Sequence, residues 1–243
     1  MRRLIIAFAI VAPVLLVLVW PHSPWLAIGI LALSHALLLI PTLRPNQQWL
    51  GPVITHFDTK AKEVWLTIDD GPTDDTRAIL DLLDARNAKA TFFVKGVLAE
   101  ASPELMREIV ARGHSVGNHS RTHPAAWFWC LPPSRLAWEI DGVPVDGPWF
   151  RAPVGMKNPF VHPMLAKRGL RLIGWTVRGF DSVRDDAQRV ADRIVPRVEP
   201  GAIVVMHQGR TWSAGTIAHV VDELQQRGYA FVIPEDGRLK TNR

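Results

Sequence analysis

The sequence predicts an α/β protein: a barrel of about seven parallel strands covered by helices, preceded by a hairpin of two transmembrane helices. Three observations lead there. Two apolar runs free of Asp, Glu, Lys and Arg open the chain, Leu4–Trp20 and Trp25–Ile40. From about Glu63 onward, short apolar runs alternate with helical patterns, the signature of a parallel sheet covered by helices. Polar residues capable of chemistry recur at the ends of those runs, where a parallel barrel carries its active site. With 243 residues, 48% of them hydrophobic, the chain can bury a substantial core.

In chain order, the hairpin comes first. Each apolar run lies near the lower limit of the roughly 17–25 residues that cross a bilayer. Only Pro21, His22, Ser23 and Pro24 separate them, and Trp20 and Trp25 flank the turn as interface residues. A secretory signal also begins with a short basic stretch and an apolar run. However, no small-x-small cleavage site precedes Pro21, and the second run follows at once. Arg2 and Arg3 lie before the first run and Arg44, Lys60 and Lys62 after the second. The positive-inside rule then sets both ends, and the domain that follows, on the cytoplasmic face of the cytoplasmic membrane. Residues 1–43 are thus read as the hairpin, 44–62 as a linker and 63–243 as the catalytic domain.

The strand runs of that domain are EVWLTI, ATFFV, HSVGN, PWFRAP, LRLIGWTV, AIVVMH and AFVIP, rich in Val, Ile, Phe and Trp and bounded by Gly, Pro or Asp. Helical patterns lie between most of them. Thr73–Ala85 places Ile79, Leu82 and Leu83 on one face, and Ser102-Pro103 reads as an N-cap and first turn before a helix stopping at Gly113. Pro159–Arg168, Asp185–Val198 and Gly215–Gly228 carry comparable patterns.

The chemistry-bearing residues fall at the run ends: Asp69 and Asp70 after the first, His119 and His123 after the third, Arg151 late in the fourth, His207 ending the sixth. Adjacent carboxylates repel and resist burial, so they need water, a cation or separate tasks. His119 and His123 in HSRTH stand four apart, which on a helical turn aims both imidazoles the same way, a spacing suited to one metal ion. Asp70 adds a carboxylate oxygen, and two nitrogens with one oxygen and open positions is the donor set of catalytic zinc. The single cysteine, Cys130, excludes a disulfide framework and Cys-rich zinc modules. Taken one at a time, each feature has a plain alternative: DDGP is also a strand-ending turn, and His207 also reads as a capping histidine.

Together, LTIDDGPT, HSRTH, RAPVG and VVMH resemble, in order and spacing, the polysaccharide deacetylase family, the NodB homology domain of carbohydrate esterase family four. The similarity runs from about Glu63 to Pro234. It implies a distorted barrel and metal-dependent hydrolysis of N-acetyl groups on amino sugars. Carried onto matching positions, it implies that Asp70, His119 and His123 hold a divalent ion, commonly zinc, with Asp69 as general base and His207 as general acid. Arg151 would orient Asp69, and the backbone of Thr73–Asp75 would help bind the carbonyl oxygen. The chemistry is coherent by itself, because a stable amide needs a polarised carbonyl, an activated water and a proton donor for the leaving amine. Alternation along the strand would divide the two carboxylates between tasks, with Gly71-Pro72 as the turn aiming both at one rim.

One motif departs from the family. In WTVRGFDS, Arg178 stands where members often carry an Asp, with Asp181 next and Ser182 in place of a Trp. Either Asp181 tunes the histidine acid or Arg178 meets an anionic group of the substrate. The net charge of +5 and pI near 9.8 also favour anionic surroundings. Trp127, Phe128 and Trp129 form an apolar loop that either packs on the barrel, meets the membrane interface or stacks on sugar, as Trp212 also would. The expected partners are an N-acetylated amino sugar, free or lipid-linked, and membrane lipid, with no nucleic acid. The alternatives are a deformylase acting on a polyprenyl-phosphate-linked sugar and a non-catalytic carbohydrate-binding relative.

Overall fold

Apolar helices and strands that alternate with helices dictate two separate kinds of packing, and the computed structural model, which describes residues 1–241, shows both. Helices α1 (Arg2–Val19) and α2 (Pro24–Leu43) pack against each other through Ile5, Ala12, Ala27 and Ser34, with most of their other side chains exposed. Both are long and apolar enough to cross a membrane. Trp20 and Trp25 stand exposed at the turn.

The remainder runs β1 (Ile54–Phe57), β2 (Glu63–Gly71), α3 (Thr76–Ala85), β3 (Ala90–Val94), α4 (Gly96–Ala101), α5 (Pro103–Ala111), β4 (Ser115–Asn118), α6 (Pro133–Asp141), β5 (Trp149–Phe150), α7 (Val161–Lys167), β6 (Arg171–Leu172) and β7 (Val177–Arg178). It ends with α8 (Ala187–Ile194), β8 (Ile203–His207), α9 (Ser213–Gln226), β9 (Ala230–Phe231) and β10 (Leu239–Thr241). Seven parallel strands lie in the order β6-β5-β4-β3-β2-β8-β7, and β9 adds to the start of β2. The two ends of that path, β6 and β7, are halves of the single predicted run LRLIGWTV. It pairs with β5 at one end and β8 at the other, so the sheet curls into a distorted barrel.

The gap in the curl is filled by β1, inside the stretch read from sequence as a linker. Gly174 N donates to Ile54 O at 2.7 Å and Phe57 N to Gly201 O at 2.9 Å, while β10 pairs antiparallel with the outer side of β1. Leu50, Val53 and Phe57 are buried there, so residues 44–62 belong in part to the barrel wall.

Alternation sorts the strand side chains into an outer and an inner layer. On β2, Val64, Leu66 and Ile68 join the cluster under α3, α5, α8 and α9, while Trp65 faces the interior cluster with Phe93, Trp149, Ile203 and Val205. Trp65 and Trp149 meet edge-to-face at 5.0 Å and fill the interior, and Trp65 Nε1 donates to Thr91 Oγ1 at 2.7 Å. The same odd-numbered phase on β2 continues from Trp65 to Thr67 and Asp69 at the open end.

The end of α2 is seated on the barrel rim. Lys157, fully buried, donates to Arg44 O at 2.8 Å and Pro45 O at 2.9 Å, supplying donors where a helix end lacks them. Asn46 Nδ2 donates to Trp175 O at 2.7 Å, and Pro45 presses on Gly155. A Cβ at Gly155 would lie 2.5 Å from Pro45 Cβ and 2.7 Å from the Trp175 ring, on a backbone with φ of +73°. Gly155→Ala is therefore expected to destabilise the protein by ~1–3 kcal/mol through overpacking and left-handed strain. A lowered melting temperature in detergent, with faster limited proteolysis after Arg44, would register it; an unchanged melt would refute the tight seat.

Candidate active site

Asp69 closes the inward phase of β2 and is 3% exposed. Arg151, entirely buried, donates from one Nη1 to Asp69 Oδ1 and Thr67 Oγ1, both at 2.7 Å, and from the other to Gly174 O at 2.9 Å. Burial lowers the pKa of that guanidinium and the Asp69 carboxylate opposes the shift.

Regular alternation would turn Asp70 away from Asp69, yet both face His119. Asp70 adopts φ of +80°, and the β2–β3 register shifts between Asp69 and Gly71. This bulge at Asp70, not the following Gly71-Pro72 turn, aims the second carboxylate at the rim. Asp69 Oδ2 lies 3.7 Å from His119 Nε2, and Asp70 Oδ1 lies 3.9 Å from His119 Nε2 and 3.6 Å from His123 Nε2.

The two histidines converge without the helical turn expected from their spacing. Ser120 and His123 sit at φ of +62° and +54° in a loop, with His123 N donating to Ser120 Oγ at 3.0 Å. His119 Nδ1 bonds Arg151 O at 2.9 Å, which leaves Nε2 as the nitrogen facing the carboxylates. Buried Glu139 on α6 accepts from Thr122 N at 2.8 Å and Thr122 Oγ1 at 2.7 Å, holding the loop from behind. The sequence reading missed α6 and Glu139. The available signal was an acid on the apolar face of RLAWEID, between Leu136 and Ile140.

These residues fit a metal ion. One donor atom each of Asp70, His119 and His123 lies within 4.8 Å of the other two. Ligands about 2.1 Å from a tetrahedral ion stand about 3.4 Å apart, close to the separations from Asp70 Oδ1. That oxygen is buried without a hydrogen-bond partner, although Lys95 Nζ approaches to 3.5 Å. Burial raises the Asp70 pKa, but His119, His123 and Lys95 together bring it below the ordinary value, keeping the carboxylate charged. Burial, reinforced by His119, brings His123 down to about 4, so its imidazole is neutral at neutral pH, the form that binds metal.

Across the cleft, His207 ends β8 in register with Asp69 on β2, its neighbour strand. Asp181 grips it twice, accepting from His207 N at 2.6 Å and pairing with Nδ1 at 3.0 Å. Trp212 Nε1 donates to Asp181 O at 2.9 Å and so steadies that loop. Burial opposes the imidazolium, yet Asp181, with Asp69 and Asp70 beside it, outweighs burial and raises His207 to about 9. Arg178 points elsewhere: its guanidinium lies 4.1 Å from the Phe180 ring centre and 5.6 Å from that of Trp175.

Asp69, Asp70, His119, His123 and His207 share one cleft of about 370 Å³. A larger cavity of about 950 Å³, between the start of α1 and α7, holds none of them. In the Thr73–Asp75 stretch expected beside the carbonyl oxygen, Thr73 N donates to Thr76 Oγ1 at 2.8 Å, and the Asp75 carboxylate accepts from Gly209 N at 3.0 Å. The aromatic loop divides its roles, with Phe128 buried against Phe150 and Trp127 65% exposed.

Fold and cleft define a barrel hydrolase whose rim carries two carboxylates, three histidines and a buried arginine. The family model for polysaccharide deacetylase matches residues 56–173, ending before Asp181 and His207. A chitooligosaccharide deacetylase of Bradyrhizobium sp. (strain ANU 289) is 32% identical over 192 residues, 69% of this chain and 87% of that protein. A peptidoglycan-N-acetylglucosamine deacetylase of Bacillus cereus is 29% identical over 203 residues, 78% and 94% of the two chains. A family 4 carbohydrate esterase from Streptomyces lividans, solved with acetate, superposes with a TM-score of 0.67 at 27% identity over 75% of this chain and 98% of its own. This chain belongs to the polysaccharide deacetylase family, carbohydrate esterase family four, and is a carbohydrate deacetylase.

The Asp181–His207 pair yields a titration test. Asp181→Asn should lower the His207 pKa from about 9, because burial is then opposed only by the charges of Asp69 and Asp70. Histidine NMR titration reads this directly. Since the folded pKa is raised, the pair's stabilisation is full below about 6.5 and fades as pH rises through about 9; the variant should lose that alkaline dependence. An unshifted His207 would refute the coupling.

Proposed function

We propose that this chain is a membrane-anchored, metal-dependent hydrolase that removes N-acetyl groups from amino-sugar-containing glycans, with Asp69 as base and His207 as acid. The reading is carried by one arrangement. Asp69 and His207, in register on adjacent strands, flank the Asp70, His119 and His123 donors in one cleft. The chitooligosaccharide and peptidoglycan deacetylases similar to this chain make an N-acetylglucosamine unit the natural substrate.

Asp70, His119 and His123 would hold the ion, most simply zinc given two nitrogens and one oxygen. When bound, it supplies polarisation of the amide carbonyl and acidification of water. Asp69 Oδ1 is tied to Arg151, so Oδ2 is the oxygen that takes the proton from the attacking water. Arg151 keeps that carboxylate from rotating. His207, cationic at neutral pH and held through Nδ1, donates from Nε2 to the departing nitrogen. Asp181 thereby fills the tuning role, and Arg178 is free to meet substrate.

The metal and base roles separate experimentally. Asp69→Asn should retain a stoichiometric divalent ion and lower kcat by roughly 10²–10⁴-fold, the usual worth of a general base. His119→Ala should lose both ion and activity. Acetate release from N-acetylglucosamine oligomers, with elemental analysis of the purified protein, checks both. Formate release from an N-formyl sugar without acetate release would favour the deformylase, and a metal-free, inactive wild type would favour a binding relative.

The hairpin and its flanking Arg2, Arg3, Arg44, Lys60 and Lys62 support an anchored domain on the cytoplasmic face. A C-terminal fusion should then be active with a cytoplasmic reporter and silent with a periplasmic one; the reverse result would invert the topology.

A further inference from the structure

A further cavity of about 380 Å³ lies where the hairpin meets the barrel, lined by Arg44, Pro45, Asn46, Gln47, Trp175 and Arg178. It shares Trp175 and Arg178 with the catalytic cleft, so the two are neighbours across those side chains. We propose that Arg44 and Arg178 form a phosphate subsite that takes the phosphate of a lipid-linked N-acetylated amino sugar, a proposal resting on the deacetylase function above.

Charge is the first reason. Both guanidinium groups are exposed, and among the described residues neither forms an ion pair, whereas Arg77, Arg86, Arg112, Arg121, Arg151 and Arg168 all do. The lining contains no carboxylate, so two positive charges converge uncompensated on one polar hollow. Arginine forks are suited to phosphate oxygens, and stacking on Phe180 and Trp175 fixes the plane of the Arg178 fork.

Position is the second. Arg44 directly follows α2, so a spanning α2 sets it at headgroup depth. Its backbone is fixed there by Lys157, and Asn46 ties the next turn to Trp175, the shared wall. A phosphate held in the hollow would lie beside the cleft that receives the sugar, on the side where a lipid tail rejoins the bilayer. Val154, Phe180 and Val183, at the cleft mouth, expose apolar surface compatible with that lipid boundary. A bulk phospholipid headgroup explains the charge but not its place beside the catalytic cleft, with Trp175 and Arg178 lining both.

The test uses the full chain in lipid nanodiscs with the Asp69→Asn substitution, so that binding is read without turnover. N-acetylglucosamine 1-phosphate should bind about tenfold or more tighter than N-acetylglucosamine by calorimetry, as for a charge-assisted bidentate contact. In Arg44→Ala and Arg178→Ala that ratio should shrink towards one, with Arg178→Lys recovering part of it. Nanodiscs carrying polyprenyl-phosphate-linked N-acetylglucosamine should compete with the sugar phosphate, and phosphatidylglycerol nanodiscs should not. An unchanged ratio in both alanine variants, or equal competition by phosphatidylglycerol, overturns the subsite. Absence of acetate release by the unsubstituted protein would instead defeat the deacetylase reading, since the binding ratio is measured independently of turnover.

Discussion

The buried Arg151 guanidinium is the interaction on which the rim depends. Its four hydrogen bonds reach Thr67 and Asp69 on β2 and the Ile173 and Gly174 carbonyls in the break between β6 and β7. Its own carbonyl accepts from His119, its backbone N–H donates to Asn118 O at the end of β4, and its head stacks 4.2 Å over Phe93 of β3. One residue thus joins Asp69, His119 and the join where the barrel curls shut. Such a charge is tolerable inside a barrel because all three nitrogens donate to oxygens and one of those oxygens belongs to a carboxylate. The same pairing that satisfies the arginine fixes which oxygen of Asp69 faces the cleft.

Strand phase explains why so much of the site was legible. Asp69 and His207 share the inward phase of adjacent strands, and their position at the ends of the apolar runs EVWLTI and AIVVMH was enough to place both at one end. What the pattern concealed was backbone of unusual hand. Asp70, Ser120 and His123 all adopt positive φ without being glycine. Alternation rules assume regular strands and spacing rules assume regular helices, so neither anticipates a bulge or a loop that brings such side chains together by left-handed residues. Such conformations cost energy and persist where surroundings over-determine them; Glu139, bonded to Thr122, and Ser120, bonded to His123, are those surroundings here.

The junction after α2 was illegible for a different reason. Lys157 sits in MKNP, a polar stretch that reads as surface, yet it is fully buried because the carbonyls of Arg44 and Pro45 need its donors. Burial pushes its pKa down to about 8, which leaves it mostly charged at neutral pH. Contacts more than a hundred residues apart leave no trace in local pattern. The stretch 44–62 looked like a linker because polar and proline residues dominate it, while its few apolar members, Leu50, Val53 and Phe57, enter the core.

The altered WTVRGFDS motif shows how one task can move along a chain. His207 needs a carboxylate to hold its ring and favour its proton, and any backbone that delivers an Asp to Nδ1 suffices. Phe180, at φ of +64°, turns the chain after β7 so that Asp181 reaches both the ring and the backbone of His207. That places the acid's partner in the loop and releases position 178 from the task. A cation there would be costly beside His207 if it pointed inward, since two like charges would oppose each other. Arg178 instead lies along Phe180 and Trp175, its charge directed to the cavity shared with Arg44. The departure from the family pattern leaves His207 paired with a carboxylate and alters the wall of the cleft that meets the hairpin.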